Sequence, residues 1–327
     1  MMEDNQIQKE IQSQNQLSND EIISWGQLLS EAKDTLTKAN VPDADIDAWL
    51  LMEHCFSITK SFFFLNRRQI VESKEKIKQY REFIKQRAAR IPLQYLTKTQ
   101  GFMGLEFSVT PAVLIPRQDT ETMVEDALEL MEKGTLRGQE YTDGLKRGGD
   151  ILDLCCGSGA IGISIAKLAK GAHVTCSDLS KDALEVADRN ARLNDCKSVK
   201  FTESDMFAAF CGRLGKKKFN LIISNPPYIP PSVIEGLEPE VRDHEPMMAL
   251  DGGADGLDFY RIIAQHAPEH LKKGGVLMLE IGFDQKDAVK GLLQETGRFE
   301  KIIGLTDLTG KDRIVCAVLS KNSQKTA

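Results

Sequence analysis

Asn225-Pro226-Pro227-Tyr228 places two carbonyl-type acceptors, a rigid turn and an aromatic ring within four residues. The asparagine side-chain oxygen accepts hydrogen bonds, and a residue before proline is held extended. The Pro226 carbonyl is a second acceptor with a fixed direction. Two acceptors beside a flat ring suit a planar group bearing an NH2, such as a carboxamide or an exocyclic amine. The same residues also make an ordinary proline-rich turn, so the weight falls on their surroundings.

A second cluster is Asp153-Leu154-Cys155-Cys156-Gly157-Ser158-Gly159-Ala160-Ile161-Gly162. Glycines let a backbone turn tightly and approach a ligand, and a following helix offers unpaired N–H groups. Asp178 stands 21 residues after Gly157, where a carboxylate can accept both ribose hydroxyls of an adenosine. Loop and acid together indicate an adenosine-bearing cofactor, and they fit NAD as well as S-adenosylmethionine. In Ser204-Asp205-Met206, Asp205 can accept from an adenine amino group and Met206 can cover the ring. Each has a plain structural alternative. The glycines can serve strand–helix packing, Asp178 can cap a helix near Ser180, and Asp205 and Met206 can be turn or core.

These residues need elements to hold them. From Asp150 onward the apolar pattern alternates between strands and helices, which predicts a doubly wound α/β domain. The strands are expected at 151–154, 173–176, 199–202, 219–224, 275–281, 301–305 and 313–319. Helices are expected near 160–170, 181–192, 257–271 and 285–295. The proline pair must end the strand 219–224, and the carboxyl ends of parallel strands are where ligands bind. The last two strands, joined by a short turn, form a hairpin that puts an antiparallel strand in the sheet. That hairpin, with the acceptor-rich Asn-Pro-Pro-Tyr on the fourth strand, favours S-adenosylmethionine over NAD.

Upstream, residues 1–20 are polar and rich in Gln, Asn and Ser, and read as a disordered tail. Residues 21–92 read as a small helical domain, with Trp25, Leu28, Leu29, Ala32 and Leu36 at helical spacing. Further helices are expected from Pro42 and from Ser73, and His54 on the second is read as a packing residue. Residues 93–149 hold an alternating stretch with glycine bends at 101–109, expected as a β-hairpin. A helix from about Gln118 to Met131 follows it, then a glycine-rich surface linker over 133–149. Arg117, beside that acidic helix start, reads equally as an ion-pair anchor or a loop charge. The domain from 150 to 327 carries the chemistry.

The chain has 327 residues, 41% hydrophobic and 28% charged, with a net charge of −6. That balance excludes a protein built to coat nucleic acid, and no apolar run reaches membrane-spanning length. The seven cysteines have no paired or chelating spacing, so neither disulfides nor a metal site is expected, and a cytoplasmic location is. Charge is uneven, however. Residues 60–98 carry eleven Lys/Arg against three Glu, a basic surface that suits RNA, an acidic partner or plain solvation.

Several segments in combination resemble the HemK/PrmC family. They are Arg90-Ile91-Pro92-Leu93-Gln94-Tyr95, Gly101-Phe102-Met103-Gly104-Leu105-Glu106-Phe107 and Ile115-Pro116-Arg117-Gln118-Asp119-Thr120-Glu121. Ala249-Leu250-Asp251-Gly252-Gly253-Ala254-Asp255-Gly256-Leu257 and Leu279-Glu280-Ile281-Gly282 add to them, beside the glycine loop and Asn-Pro-Pro-Tyr. The resemblance spans about residues 22–319. It implies a class I (Rossmann-like) methyltransferase domain and a small helical N-terminal domain joined by a β-hairpin. It also implies transfer of a methyl group from S-adenosyl-L-methionine to the Gln of the Gly-Gly-Gln motif in peptide chain release factors. Carried over, Cys155, Cys156, Gly157, Ser158 and Gly159 form the cofactor loop. Asp178 meets ribose, Asp205 and Met206 lie near adenine, and Asn225, Pro226, Pro227 and Tyr228 hold the substrate glutamine. Many members have glycine where Cys155 stands and an aromatic residue at Met206. Cys155 carries a Cβ, so small size rather than positive φ is expected there. The helical domain is then a docking domain for the release factor.

The alternatives are a ribosomal-protein glutamine enzyme with a ribosome-associated substrate, an adenine-N6 nucleic-acid methyltransferase, an NAD-dependent dehydrogenase using His244, and a non-catalytic binding module. The acidic balance and the lack of a target-recognition domain weigh against a stable nucleic-acid partner. The 116–121 segment favours release factors over ribosomal proteins.

Overall fold

A computed structural model describes residues 22–142, 145, 149–212 and 215–321. The tail expected at 1–20 lies outside the described residues. Two compact units divide between Thr97 and Lys98.

The first unit is helical: α1 (Trp25–Lys38), α2 (Ala44–Phe56), α3 (Lys60–Asn66), α4 (Lys74–Ala88) and α5 (Leu93–Thr97). Ser24 and Gln27 form a capping box that starts α1, and the Ser73 hydroxyl accepts from Lys76 N to start α4. The apolar stripe of α1 packs with Trp49, Leu51 and Met52 of α2 and Ile77, Tyr80 and Ile84 of α4. Residues 93–97 were expected outside the helical domain, but α5 buries Leu96 in this same core. His54 is exposed, its ring 5.8 Å from that of Phe83. The basic stretch is also not all surface. Arg87 Nε lies 2.6 Å from Asp47 Oδ2, with both side chains under a tenth exposed. Arg81 pairs with Glu31 at 3.0 Å on the surface.

The second unit opens with the hairpin β1 (Thr99–Phe102) and β2 (Leu105–Ser108). Met103 and Gly104 turn it with φ of 52° and 72°. Helix α6 (Gln118–Lys133) follows. The stretch 133–149, expected as a surface linker, is ordered in its described part. Strands β3 (Thr135–Leu136) and β4 (Gln139–Glu140) pair, and Leu136, Tyr141 and Leu145 are buried. Three apolar residues spaced five and four apart carry no period, which is why the sequence pattern missed them.

The remaining elements are β5 (Gly149–Leu154), α7 (Ala160–Leu168), β6 (Ala172–Asp178), α8 (Lys181–Leu193) and β7 (Lys200–Glu203). A two-residue hairpin, β8 (Cys211–Gly212) and β9 (Gly215–Lys216), precedes β10 (Phe219–Ser224). After it come the single turns α9 (Pro231–Ile234) and α10 (Pro239–Arg242), then α11 (Asp258–His270), β11 (Leu271–Glu280), α12 (Lys286–Glu295), β12 (Phe299–Thr306) and β13 (Asp312–Leu319). The main sheet runs β12-β13-β11-β10-β5-β6-β7. Its five consecutive strands from β11 to β7 are parallel, and β13 is antiparallel to both neighbours. This is the doubly wound sheet with a closing hairpin that the pattern predicted.

Alternation along the strands builds two cores. Ile151, Leu221, Ile223, Met278 and Cys316 face α6, α7 and α8. Leu152, Ile222, Leu277, Val315 and Ala317 face α11 and α12. Side chains of α6, of α8 and of its C-cap residue hold hairpin β1–β2 to this frame. Asn190 donates to Ser108 O at 3.0 Å and accepts from Ser108 N at 2.7 Å, Asn194 Nδ2 donates to Glu106 O at 2.8 Å, and Glu121 accepts from Met103 N at 2.6 Å.

The Asp47–Arg87 pair gives a stability prediction. Arg87→Ala removes the guanidinium that lies 2.6 Å from the buried Asp47 carboxylate, and breaking a buried ion pair costs about 3–5 kcal/mol. Both tryptophans, Trp25 and Trp49, lie in the helical unit. The urea midpoint read by tryptophan fluorescence is therefore expected to fall sharply in this variant. An unchanged midpoint would remove the pair from the stabilising contacts.

Candidate active site

Four chain segments leave the sheet side by side. Leu154 of β5 is in register with Ser224 of β10 and with Ser177 of β6, and Asp178 is in register with Glu203 of β7. Strand order reverses between β5 and β10, the place where open α/β sheets bind ligands. Ser224 Oγ donates to Leu154 O at 2.6 Å and ties the two central strands together at their last residues. The residues that follow, Cys155, Ser204 and Asn225, therefore emerge as a row with Asp178.

The three loop glycines do three different jobs. A Cβ on Gly157 would meet nothing within 4 Å, so this backbone is open to the pocket. Gly159, at φ 78°, is the residue before α7. A Cβ on Gly162 would lie 2.5 Å from Cys176 Sγ and 2.9 Å from Asp153 Oδ2, so this glycine lets the helix press on the sheet. Gly162 N donates to that carboxylate at 2.8 Å. Cys155 corrects the expectation made for it. Its φ is 59°, so the position is left-handed and a non-glycine residue bears the strain, about 1–2 kcal/mol. Its Sγ lies 3.9 Å from Met206 Sδ, and Met206 itself has φ 46°. Asn190 Nδ2 also donates to Ser158 O at 2.9 Å, so one buried side chain fixes both the hairpin and the loop.

Asp178 accepts from Gly157 N at 2.8 Å and from Ser180 N at 2.9 Å. Ser180, not Asp178, is the N-cap of α8, its hydroxyl accepting from Ala183 N at 3.2 Å. Burial pushes the Asp178 carboxyl up, and the backbone donors oppose this. The acid thus lies at the pocket wall, oriented by the loop it serves.

One pocket is lined by Cys155, Cys156, Gly157, Ser158, Asp178, Asp205, Met206, Asn225 and Pro227. Gly159, Pro226 and Tyr228 are not among its lining residues. The Tyr228 hydroxyl instead lies 3.5 Å from Glu280 Oε1. The loop is braced from behind. Ile229 N donates to Leu250 O at 2.9 Å and Gly252 N to Ile229 O at 3.0 Å. Gln285 Nε2 donates to Tyr228 O at 3.0 Å. A Cβ on Gly252 would meet Tyr228 Cα at 2.5 Å, so the 249–257 segment needs glycine there to reach the loop.

Other residues at the site were not assigned a role from the sequence. Thr120 Oγ1 lies 2.6 Å from Glu280 Oε2 and 3.4 Å from Asn225 Nδ2. Phe102, Leu179, Met248 and Phe259 give the pocket its apolar walls. The Arg117 anchor takes the first of its two readings. Its Nη2 lies 2.6 Å from Oε2 of buried Glu245, which also accepts from Ile115 N. His244 is not in the pocket lining.

Fold and site together define a class I, Rossmann-like methyltransferase domain accompanied by a small helical unit. A family model described as PrmC N-terminal domain matches residues 27–97, and one described as methyltransferase small domain matches residues 141–235. Release factor glutamine methyltransferase of Geobacter sulfurreducens is 38% identical over 90% of this chain and 96% of its own length. The Moorella thermoacetica protein of that name is 40% identical over 89% of this chain and 97% of its own. That of Clostridium acetobutylicum is 39% identical over 83% and 90%. The chain belongs to the release factor glutamine methyltransferase family.

Asp153 makes the site's stability pH-dependent. It is fully buried beneath the loop, its Oδ1 has no partner, and burial pushes its carboxyl up to about 7. In the unfolded chain an aspartate titrates near ~3.9. Between those values the folded protein holds a proton that the unfolded chain has released. The stability contribution is therefore complete at low pH and is lost as pH rises toward about 7. Relative to Asp153→Asn, the wild-type melting temperature should decline on raising the pH from 5 to 8. Parallel curves for the two proteins would contradict this.

Proposed function

We propose that this protein transfers the methyl group of S-adenosylmethionine to the side-chain nitrogen of the glutamine in the Gly-Gly-Gln motif of a peptide chain release factor. The observation that carries the reading is the juxtaposition of Asn225, just after β10, with Cys155, Cys156, Gly157 and Ser158 after β5 in one pocket. Family membership supports the same reaction and substrate.

The residues fit the cofactor. Open space over Gly157 leaves room for close approach of a ligand to the backbone. Asp178 offers a carboxylate for the ribose hydroxyls, Asp205 an acceptor for an adenine amine, and Met206 a polarisable wall. When bound, S-adenosylmethionine supplies an electrophilic methyl on sulfonium. The protein's part is to make a poor nucleophile attack it. A glutamine amide nitrogen shares its lone pair with the carbonyl, so placement carries much of the effect, up to about 7–11 kcal/mol in favourable cases. Asn225 Oδ1 and the Pro226 carbonyl accept the two N–H bonds of the substrate amide and favour positive charge developing on nitrogen. Tyr228 stands behind them as support, since its hydroxyl is turned toward Glu280. The proton leaves after methyl transfer, and no side chain is needed as base. A release factor substrate implies action in the cytoplasm.

The helical unit is the candidate docking surface, with Lys74 and Lys78 on α4. Arg81 of the same helix lies 3.0 Å from Glu31. Reversing Lys74 and Lys78 to Glu is expected to raise KM for a full-length release factor and leave kcat unchanged; an unchanged KM would remove the docking role.

Radiolabelled methyl transfer from S-adenosylmethionine to a purified release factor, beside one whose Gly-Gly-Gln glutamine is replaced, tests the reaction. Label on the wild type alone is expected. Asn225→Ala should lower turnover by roughly 100-fold or more, with cofactor affinity retained. Equal loss of both would contradict the acceptor role, and label on neither release factor would overturn the substrate assignment.

A further inference from the structure

Asn225 can serve an NH2-bearing substrate only if its oxygen, not its own NH2, faces that group. The terminal torsion of an asparagine is broad and roughly two-fold, so something must choose. Thr120 on α6 and Glu280 at the end of β11 stand in the right places. Both are almost fully buried. A carboxylate is acceptor-only, so across the 2.6 Å contact the Thr120 hydroxyl donates to Glu280 Oε2. Its single proton is then committed. Toward Asn225, 3.4 Å away, Thr120 Oγ1 can only accept, and the amide must present Nδ2 to it. That leaves Oδ1 for the pocket.

We propose that Glu280 and Thr120 are positioning residues that set the polarity of the Asn225 amide and so select an NH2-bearing acceptor. The inference rests on the glutamine methyltransferase reading above. It adds a cause for the acceptor geometry that the Asn-Pro-Pro-Tyr segment alone does not contain. A flipped Asn225 would set its NH2 against the substrate NH2, donor against donor.

The arrangement depends on the charge of Glu280. A protonated Glu280 can donate to Thr120, which frees the Thr120 proton for Asn225 Oδ1 and reverses the relay. Several groups face this carboxyl. Asp119 comes from α6, Tyr228 from the loop after β10 and Arg313 from β13, while the Tyr260 hydroxyl of α11 donates to the Glu280 backbone carbonyl beside it. Burial pushes Glu280 up to about 7, with the Thr120 bond and Arg313 opposing and Asp119 assisting. Acidification through that range should therefore lower kcat.

The test measures methyl transfer to a purified release factor by the full-length protein, with cofactor dissociation constants and melting temperatures as folding controls. Thr120→Val should reduce kcat roughly tenfold with cofactor affinity unchanged, and Thr120→Ser should restore most of it. In an Asn225→Ala background, Thr120→Val should cause no further loss, because its effect passes through Asn225. Glu280→Gln should abolish the fall in kcat on acidification seen in the wild type. An active wild type with full kcat in Thr120→Val would overturn the inference alone. So would the same fold loss with and without Asn225, which marks a purely structural role. A wild type that does not label release factor at all would overturn the functional reading, and this inference with it.

Discussion

The site depends on two strands ending together. Parallel pairing puts Leu154 opposite Ser224, and the Ser224 hydroxyl closes on the Leu154 carbonyl at 2.6 Å. A shift of one residue in β10 would turn every side chain of that strand to the other face. Ile222 would leave the core against α11 and enter the core against α7, and Asn225 would no longer stand beside Cys155. The requirement that both faces of the sheet be buried thus fixes the site's geometry. Chemistry at the loops inherits its precision from apolar packing two residues away.

Burying polar groups at such a place is expensive unless each is partnered. The chain meets this in different ways. Asn190 is fully buried and its side chain bonds both Ser108 and the Ser158 carbonyl, so one amide orders two segments. Among the described residues no cation acts on Asp153 and one of its oxygens is unpartnered, which is the environment of a neutral acid. Glu280 has Arg313 nearby and Thr120 on one oxygen, which holds open both of its protonation states. Two buried carboxyls on the same sheet are therefore suited to different work. Asp153 accepts from the Gly162 backbone and supports the loop, while Glu280 bonds Thr120, which in turn lies 3.4 Å from the Asn225 amide.

Much of this was legible in the chain, and the exceptions share a cause. Strand alternation, the proline pair after Ser224 and the glycine spacing are local signals, and local signals set the doubly wound sheet and the row of loops. The Thr120–Glu280 contact joins residues 160 apart, and the Arg87–Asp47 pair joins residues 40 apart. No window of sequence contains either pair. Cys155 was misjudged for a related reason. A Cβ argues against positive φ, but the chain turns at Cys155, with φ 59°, on its way to bringing Gly157 N onto Asp178. Leu136, Tyr141 and Leu145 were hidden because their spacing follows no secondary-structure period.

The strain at Cys155 bears on why a cysteine stands there. Glycine would relieve the left-handed backbone but leave Met206 without the neighbour its sulfur meets at 3.9 Å. Met206 is itself left-handed at φ 46°, and its carbonyl accepts from the Ser204 hydroxyl at 2.7 Å. Two strained residues from different strand ends thus lean on one another at the pocket wall. A side chain at 155 narrows this wall, and the flexible thioether of Met206 packs against it.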